Sequence, residues 1–522
     1  MVSRWQVLKC FFLAIVLGIP AFLGAQSITD PLLLDALRYQ APIRGAGPVA
    51  VSMGFATITS DQDPSAWFLN PASLGLHKNT IVDLGFRFRN GSVSSSFLGT
   101  DTDQPNTSSD IDHFFFIYPY PVLQGSFVLG FGYGQYSLFD LTASGEGFNP
   151  TSSYSESFYG YNPSARFATG TAAITELTRL VNQDDYFYRA QAAGLYYILT
   201  DPADPAQYRI RSAAIGRVTQ SYTALFDGSL YAWTVGASAE VAQGIFLGAS
   251  IQVLGGFYLK DYEYSEQSDL DWYRQYPDSG RTESSTLYIF KSLTQTEKQD
   301  DDISGLAFRF GGVAKLTDEW RVGFSYALPT QLSVKSSFEW DIFAEWEKNG
   351  NPSVLVTRRA NDILSIPTDY ELSGPSILDG SVGFQSFPFS AEVGFTWTDY
   401  SAMRYSNTSD DEFFDELNRE IKLSLDQTLD YRAGIQYAVP EFQSLLRAGI
   451  YSAGNPAGGD RRNQYSLGYE YVTEGGYRFV LGYQLYSFEQ EYLAYQPVAK
   501  PAVSYTENEV IHTFSIGTII RF

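Results

Sequence analysis

The residues able to do acid–base or nucleophilic chemistry are few. Three histidines, His77, His113 and His512, are spread over 522 residues. A Ser–His–acid hydrolase needs an imidazole within hydrogen-bond reach of a serine and held by a carboxylate. His113 reads as the start of a strand, His512 shares parity with Phe514 and so faces outward, and His77 closes a small-residue stretch. No Gly-rich phosphate loop opens a helix, and no His/Cys group has metal spacing. An acidic stretch, 261–302, ends in Gln299, Asp300, Asp301 and Asp302. Such oxygens suit a divalent cation, and they suit a solvated charge run as well. No catalytic residue, metal ligand or cofactor is assigned, and the chain is read as a non-enzyme.

The elements that carry these residues are better marked. Tyr, Phe and Trp number 37, 38 and 8, an excess expected where amphipathic rings sit at a membrane–water interface. A net charge of −23 opposes a nucleic-acid partner. Residues 1–25 read as a signal peptide: Arg4 and Lys9 come first, the apolar run Cys10–Leu23 follows, and cleavage is expected after Ala25. The single cysteine, Cys10, leaves with it, so the mature chain has no thiol. Beyond that segment no apolar run is long enough for a membrane-spanning helix.

Strands carry the membrane argument. Tyr231, Trp233, Val235, Ala237, Ala239 and Val241 alternate with small or polar residues. Trp320, Val322, Phe324, Tyr326 and Leu328 oppose Arg321, Gly323 and Ser325, and Tyr477, Phe479, Leu481, Tyr483 and Leu485 oppose Arg478, Gly482 and Gln484. Each run matches the about nine to eleven residues of a tilted membrane strand better than the five or six of a soluble sheet. The pattern predicts an all-β fold, a transmembrane antiparallel β-barrel of about 14 strands. They fall near 81–89, 111–119, 124–139, 228–241, 244–258, 302–316, 319–335, 375–386, 389–404, 426–439, 442–453, 462–473, 476–489 and 508–522. Short turns alternate with long polar loops near 90–110, 140–227, 259–301, 336–374, 405–425, 454–461 and 490–507, as in bacterial outer-membrane barrels. In the last strand Phe514, Ile516, Thr518, Ile520 and Phe522 share a face, with Ile519 the exception. The terminal Phe522 resembles the signal read by the barrel assembly machinery.

Residues 26–79 do not alternate and stand apart from the barrel at 80–522. Leu32, Leu33, Leu34 and Leu37 form a short helical cluster after Asp30 and Pro31. From Ala41 to Leu76 a Gly-rich text leads into Asp61, Asp63, Pro64, an aromatic residue and Asn70-Pro71-Ala72. With Gly45, Gly47 and Gly54 it resembles the N-terminal hatch of the FadL-type transporters of long-chain fatty acids and other hydrophobic compounds. The acidic pair is split by Gln62, and Phe55 stands where a second glycine is frequent, which marks a divergent member. Asn70-Pro71 reads equally as a plain turn.

The resemblance implies a plugged lumen, passive uptake of a hydrophobic small molecule or lipid, contact with outer-membrane lipids, and a sideways exit through the wall. The glycines of the third strand, Gly130, Gly132 and Gly134, are the candidate lateral gate, because glycine in a strand marks bends. Their alternative role is to make room for the plug. Within loop 140–227, Ile174, Leu177, Leu180 and Val181 recur at helical spacing ahead of Tyr186, Phe187, Tyr188, Tyr196 and Tyr197. They form either a receiving groove or a self-packed lid. Similar hatch motifs occur in the shuttle barrels of the type IX secretion system, so a barrel holding protein cargo is the rival expectation. The chain is expected to work as a monomer.

Overall fold

The computed structural model describes residues 31–522 apart from 41–44, 159–161, 163, 184, 202–203, 276–279, 284–285, 350, 360–363, 407–410 and 498–499. The signal peptide with Cys10, and residues 26–30 ahead of the first helix, lie outside the described residues.

Fourteen wall strands run antiparallel, each to its chain neighbour. They are β1 (Ile81–Phe97), β2 (Thr100–Tyr120), β3 (Phe127–Leu138, then Leu141–Asn149), β4 (Val218–Ala242), β5 (Ile245–Ser268), β6 (Thr286–Lys315) and β7 (Trp320–Ala327, then Gln331–Lys348). Then follow β8 (Leu364–Ser373 and Ile377–Ser386), β9 (Phe389–Asp399 and Arg404–Ser406), β10 (Gln427–Val439), β11 (Ser444–Ala453), β12 (Arg462–Val472), β13 (Arg478–Tyr495) and β14 (Val503–Arg521). β14 pairs back onto β1 from Ile81↔Arg521 to Phe97↔Tyr505, so the sheet closes without an edge. The expected outward residues are exposed: Trp233 and Val235 on β4, Phe324 on β7, Phe479 and Leu481 on β13, Phe514 and Ile516 on β14. Ile519, the exception in the pattern, is buried inside.

Strand lengths depart from expectation at one end only. The short turns fall where the alternation stops, at 243–244, 316–319 and 473–477. At the other end, the expected loops 90–110, 259–301 and 336–374 are largely strand. β4, β5 and β6 run 25, 24 and 30 residues, against about ten needed to cross. The reason is solvent. Above Phe88 the outward face of β1 turns to Asn90, Ser92, Ser94 and Ser96, so hydrophobic alternation ends while the ladder to β2 continues to Phe97↔Thr100.

A small subdomain packs against one side of the upper barrel. Helices α3 (Gly170–Gln183) and α4 (Asp185–Ala192) and the hairpin Tyr196–Asp201/Asp204–Ser212 bury Leu180, Phe187 and Tyr196 with Phe290, Trp340 and Trp346 of the wall. Phe187 stacks on Tyr196 at 4.5 Å. The helical spacing was legible, and of the aromatic cluster Phe187 and Tyr196 pack on each other and on the wall, while Ile174, Tyr186 and Tyr188 are exposed. A further extracellular helix, α5 (Asp411–Ser424), buries Phe414, Leu417 and Ile421 in the cluster that holds Leu33 and Ala36 of the N-terminal helix. (Helices α1 and α2, Pro31–Tyr39 and Pro48–Ser52, belong to the segment inside the barrel.)

Candidate functional site

The described residues of the N-terminal segment, 31–40 and 45–77, pack against the inward face of the wall. The Leu32–Leu37 cluster forms α1, which is tied to the wall by Tyr405 Oη donating to Leu32 O (2.6 Å) and Gln40 Nε2 to Leu372 O (3.2 Å). Its polar side meets Gln299, whose Nε2 donates to Asp35 (2.8 Å) and Asp301 (2.9 Å). Below α1, Trp67 and Phe68 are fully buried and pack edge-on at 4.9 Å, with Phe115 of β2 beside Phe68 at 5.0 Å.

Charged wall residues pin the segment's backbone. Arg309 Nη1 donates to Leu69 O (2.9 Å), Arg321 Nη1 to Thr59 O (3.1 Å) and Arg478 Nη1 to Gln62 O (3.1 Å). Glu392 accepts from Thr59 N (3.1 Å) and Thr59 Oγ1 (2.7 Å), and Asp112 accepts from Gly47 N (2.9 Å). The arginines are themselves held by buried carboxylates. Asp379 sits between Arg309 (2.7 Å) and Arg432 (3.1 Å), and Glu470 between Arg447 (2.6 Å) and Arg478 (2.5 Å). Buried charges persist only when paired and hydrogen-bonded, and the irregular backbone of a plug needs such partners wherever no ladder is available.

The wall is interrupted beside this plug. β3 pairs with β2 only from Tyr120↔Phe127 to His113↔Gly134, and with β4 throughout, shifting register between Gln135 and Ser137. From Gln135 to Asn149 no backbone pairing to β2 is formed. The interruption begins at the upper edge of the apolar belt, near exposed Ile111 on β2.

No family model and no curated protein matches the sequence. A FadL homologue from Pseudomonas aeruginosa aligns in structure with a TM-score of 0.53 and 12% identity, covering 95% of this chain and 100% of that one. The fold is FadL-type. The toluene transporters TodX of P. putida (TM-score 0.49, 12% identity, 92% and 99% covered) and TbuX of Ralstonia pickettii (0.46, 13%, 92% and 99%) are looser matches.

In this FadL-type barrel each hatch-motif residue has a definite place. Asn70 accepts from Ala72 N (3.1 Å) to cap the 3₁₀ turn Pro71–Leu76, and its Nδ2 reaches Gly312 O on β6 (3.1 Å). It is both the turn and the wall anchor. Asp61 pairs with Arg321 at 3.1 Å, and Asp63, next to Pro64, accepts from Ser65 N and Oγ, both at 2.9 Å. Gly54 has φ 59° and lies against β11, where a Cβ on Gly449 would come within 2.2 Å of Gly54 N. Only a bare backbone fits on both sides.

The third-strand glycines sit in regularly paired wall, just below the interruption. Their inward faces meet the hatch. A Cβ on Gly130 would lie 2.9 Å from Leu74, on Gly132 2.6 Å from Phe115 and 3.2 Å from Trp67, and on Gly134 2.9 Å from Phe68. Valine at both Gly132 and Gly134 therefore overpacks the hatch, at about 1–3 kcal/mol for each site. The barrel should lose its heat-modifiable gel shift at lower temperature than the parent. Unchanged stability would mean that Trp67 and Phe68 move aside freely.

Two expectations need correction. His113 is not at a strand start. β2 begins at Thr100, and a bulge at Asp112, where Gly85↔His113 is followed by Phe86↔Ile111, turns both Asp112 and His113 inward. There His113 Nε2 lies 3.0 Å from Asp83, and its ring stacks on Phe115 at 4.8 Å. The acidic run at 299–302 is not a loop. It lies in β6, so Gln299 and Asp301 are buried inside while Asp300 and Asp302 face out. Among the described residues no group of three or more His, Cys, Asp or Glu could hold a metal ion. His512 takes up its outward place beside Phe514, with Nδ1 2.9 Å from Tyr483 Oη, and His77 ends the Pro71–Leu76 turn.

Sequence reasoning missed Arg309, Asp379, Glu392, Arg432, Arg447 and Glu470. A signal was present. Each is a charge at lumen parity within the membrane-crossing half of a strand, as Arg321 and Arg478 are.

Proposed function

We propose that the protein carries hydrophobic small molecules, long-chain fatty acids among them, from the cell surface into the outer membrane by passive diffusion, as a monomer without cofactor or chemical step. The observation that best supports this is an N-terminal segment packed inside the barrel beside an interrupted wall. A molecule above the hatch finds its way down blocked and an unpaired strand edge at its side. Tyr39, Phe139, Phe226 and Tyr258 cluster at that level, with Phe139 and Tyr258 edge-on at 5.4 Å. Burying an alkyl chain there gains about 0.8 kcal/mol per methylene. The interruption, with Gly130, Gly132 and Gly134 at its lower border, is the lateral exit in this reading. Terminal Phe522, exposed and closing the ring through Phe522 N to Thr80 O (2.9 Å), is the handle for barrel assembly.

Cells of a host lacking its own uptake barrel should take up labelled long-chain fatty acid several-fold faster when they produce this protein. Uptake at the vector-only rate, with folded protein in the outer membrane, would remove the reading. The packed aromatic lid of α3 and α4 favours one alternative, a surface barrel that holds protein cargo. In that case the same cells would show no uptake gain, and cross-linking would recover a secreted protein on the lid.

A further inference from the structure

Above Gly134 no backbone rung joins β2 to β3, and the crossing higher up is made by a side chain. Where a regular ladder would join the two backbones, the carboxamide of Asn106 stands in for a peptide unit. Its Oδ1 accepts from Thr142 N (2.6 Å) and its Nδ2 donates to Thr142 O (3.0 Å), with a further bond to its neighbour Gln104 O (3.3 Å). One step higher, Gln104 Nε2 donates to Ser144 Oγ at 2.7 Å. The last backbone rung below is His113↔Gly134. Between these rungs two side chains of β2 lack partners: Ser108 Oγ and Asp110 Oδ2 are buried and take no hydrogen bond. The opening is thus a framed window of six β2 residues, 107–112, or roughly 20 Å along the strand at about 3.3 Å per residue. Its lower corner is crossed by Arg87 Nη2 donating to Gln135 O (3.3 Å).

We propose that Asn106 is a specificity-determining clasp that limits the size of the molecule leaving through this window. The inference rests on the lateral-exit reading above. A backbone rung is fixed by its neighbours on both strands, whereas a clasp made by one side chain can be removed without changing the fold of either strand. Losing it lengthens the window toward Ser144 and admits bulkier molecules, while small ones already pass.

The test compares entry of two neutral, intrinsically fluorescent hydrocarbons, two-ring naphthalene and five-ring perylene, into cells producing the full chain or its variants. Asn106→Ala should raise the perylene rate at least fivefold and change the naphthalene rate less than twofold. Asn106→Asp keeps the acceptor for Thr142 N but loses the donor, and should fall between. A perylene-to-naphthalene ratio unchanged in both variants would overturn the clasp. So would equal loss of both rates in Asn106→Asp shown to be folded by its gel shift. If neither probe enters faster than in vector-only cells, the transport reading itself fails and takes the clasp with it.

Discussion

Deleting residues 27–79 should turn a nearly closed barrel into an open pore, with single-channel conductance in planar bilayers rising roughly tenfold or more, since a barrel this wide cannot be filled by wall side chains alone. The hatch supplies the filling: Trp67, Phe68, Leu69 and Leu74 are all buried inside. Without it, Arg309, Arg321, Arg478 and Glu392 lose their hatch partners. Exposed to water, they leave a polar, charge-lined path from which ions are not repelled by apolar surface. The extracellular lid, where Phe187 packs with Trp340 and Trp346 of the wall, is the other candidate barrier in series with the hatch. The measurement separates the two. A large rise makes the hatch the dominant resistance. Unchanged conductance in a folded barrel would assign closure to the lid and would predict that removing 170–212 opens the pore instead.

The lower barrel was legible because its two faces meet different solvents. Trp233 and Val235 face lipid while Thr234 and Gly236 face the hatch, so each lower strand end carries the period of two. The upper barrel lacks that contrast. On β5, Tyr258, Tyr262 and Tyr264 point in while Asp261 and Glu263 point out, and aromatic residues among charges read as loop. His113 was misplaced for the same reason, because the polar run from Thr100 to Asp110 ahead of it reads as loop although β2 already runs through it, and its inward turn was hidden as well. Alternation assumes one residue per step, and the Asp112 bulge adds a residue that the pattern cannot register. The hatch motif was legible as turn chemistry at Asn70-Pro71. Its anchors were not, since which wall charge meets which carbonyl depends on the path of an irregular chain. Arg321 could be placed on the lumen face from parity, but its bond to Thr59 O follows from no local rule.

The buried charge cages carry the last and largest stability effect. Asp379, with Arg309 and Arg432 on either side and Thr396 Oγ1 donating at 2.6 Å, leaves its cage with one surplus positive charge. Glu470 with Arg447 and Arg478 does the same. In both cages an arginine turns that surplus onto a hatch carbonyl, Arg309 onto Leu69 and Arg478 onto Gln62. Replacing Asp379 with alanine leaves two buried guanidinium groups facing each other with no anion between them. Breaking a buried pair in this way costs about 3–5 kcal/mol, which should appear as a lower urea midpoint for the barrel in detergent. Removing the repulsion should restore much of it, because an apolar replacement of a whole ionic group is far less costly than an orphaned charge. Asp379→Ala combined with Arg432→Met should therefore be more stable than Asp379→Ala alone, with Arg309 still holding Leu69 O. If the double variant is the less stable of the two, the guanidinium groups are already neutralised by water in the lumen, and the cage tethers the hatch by geometry rather than by charge.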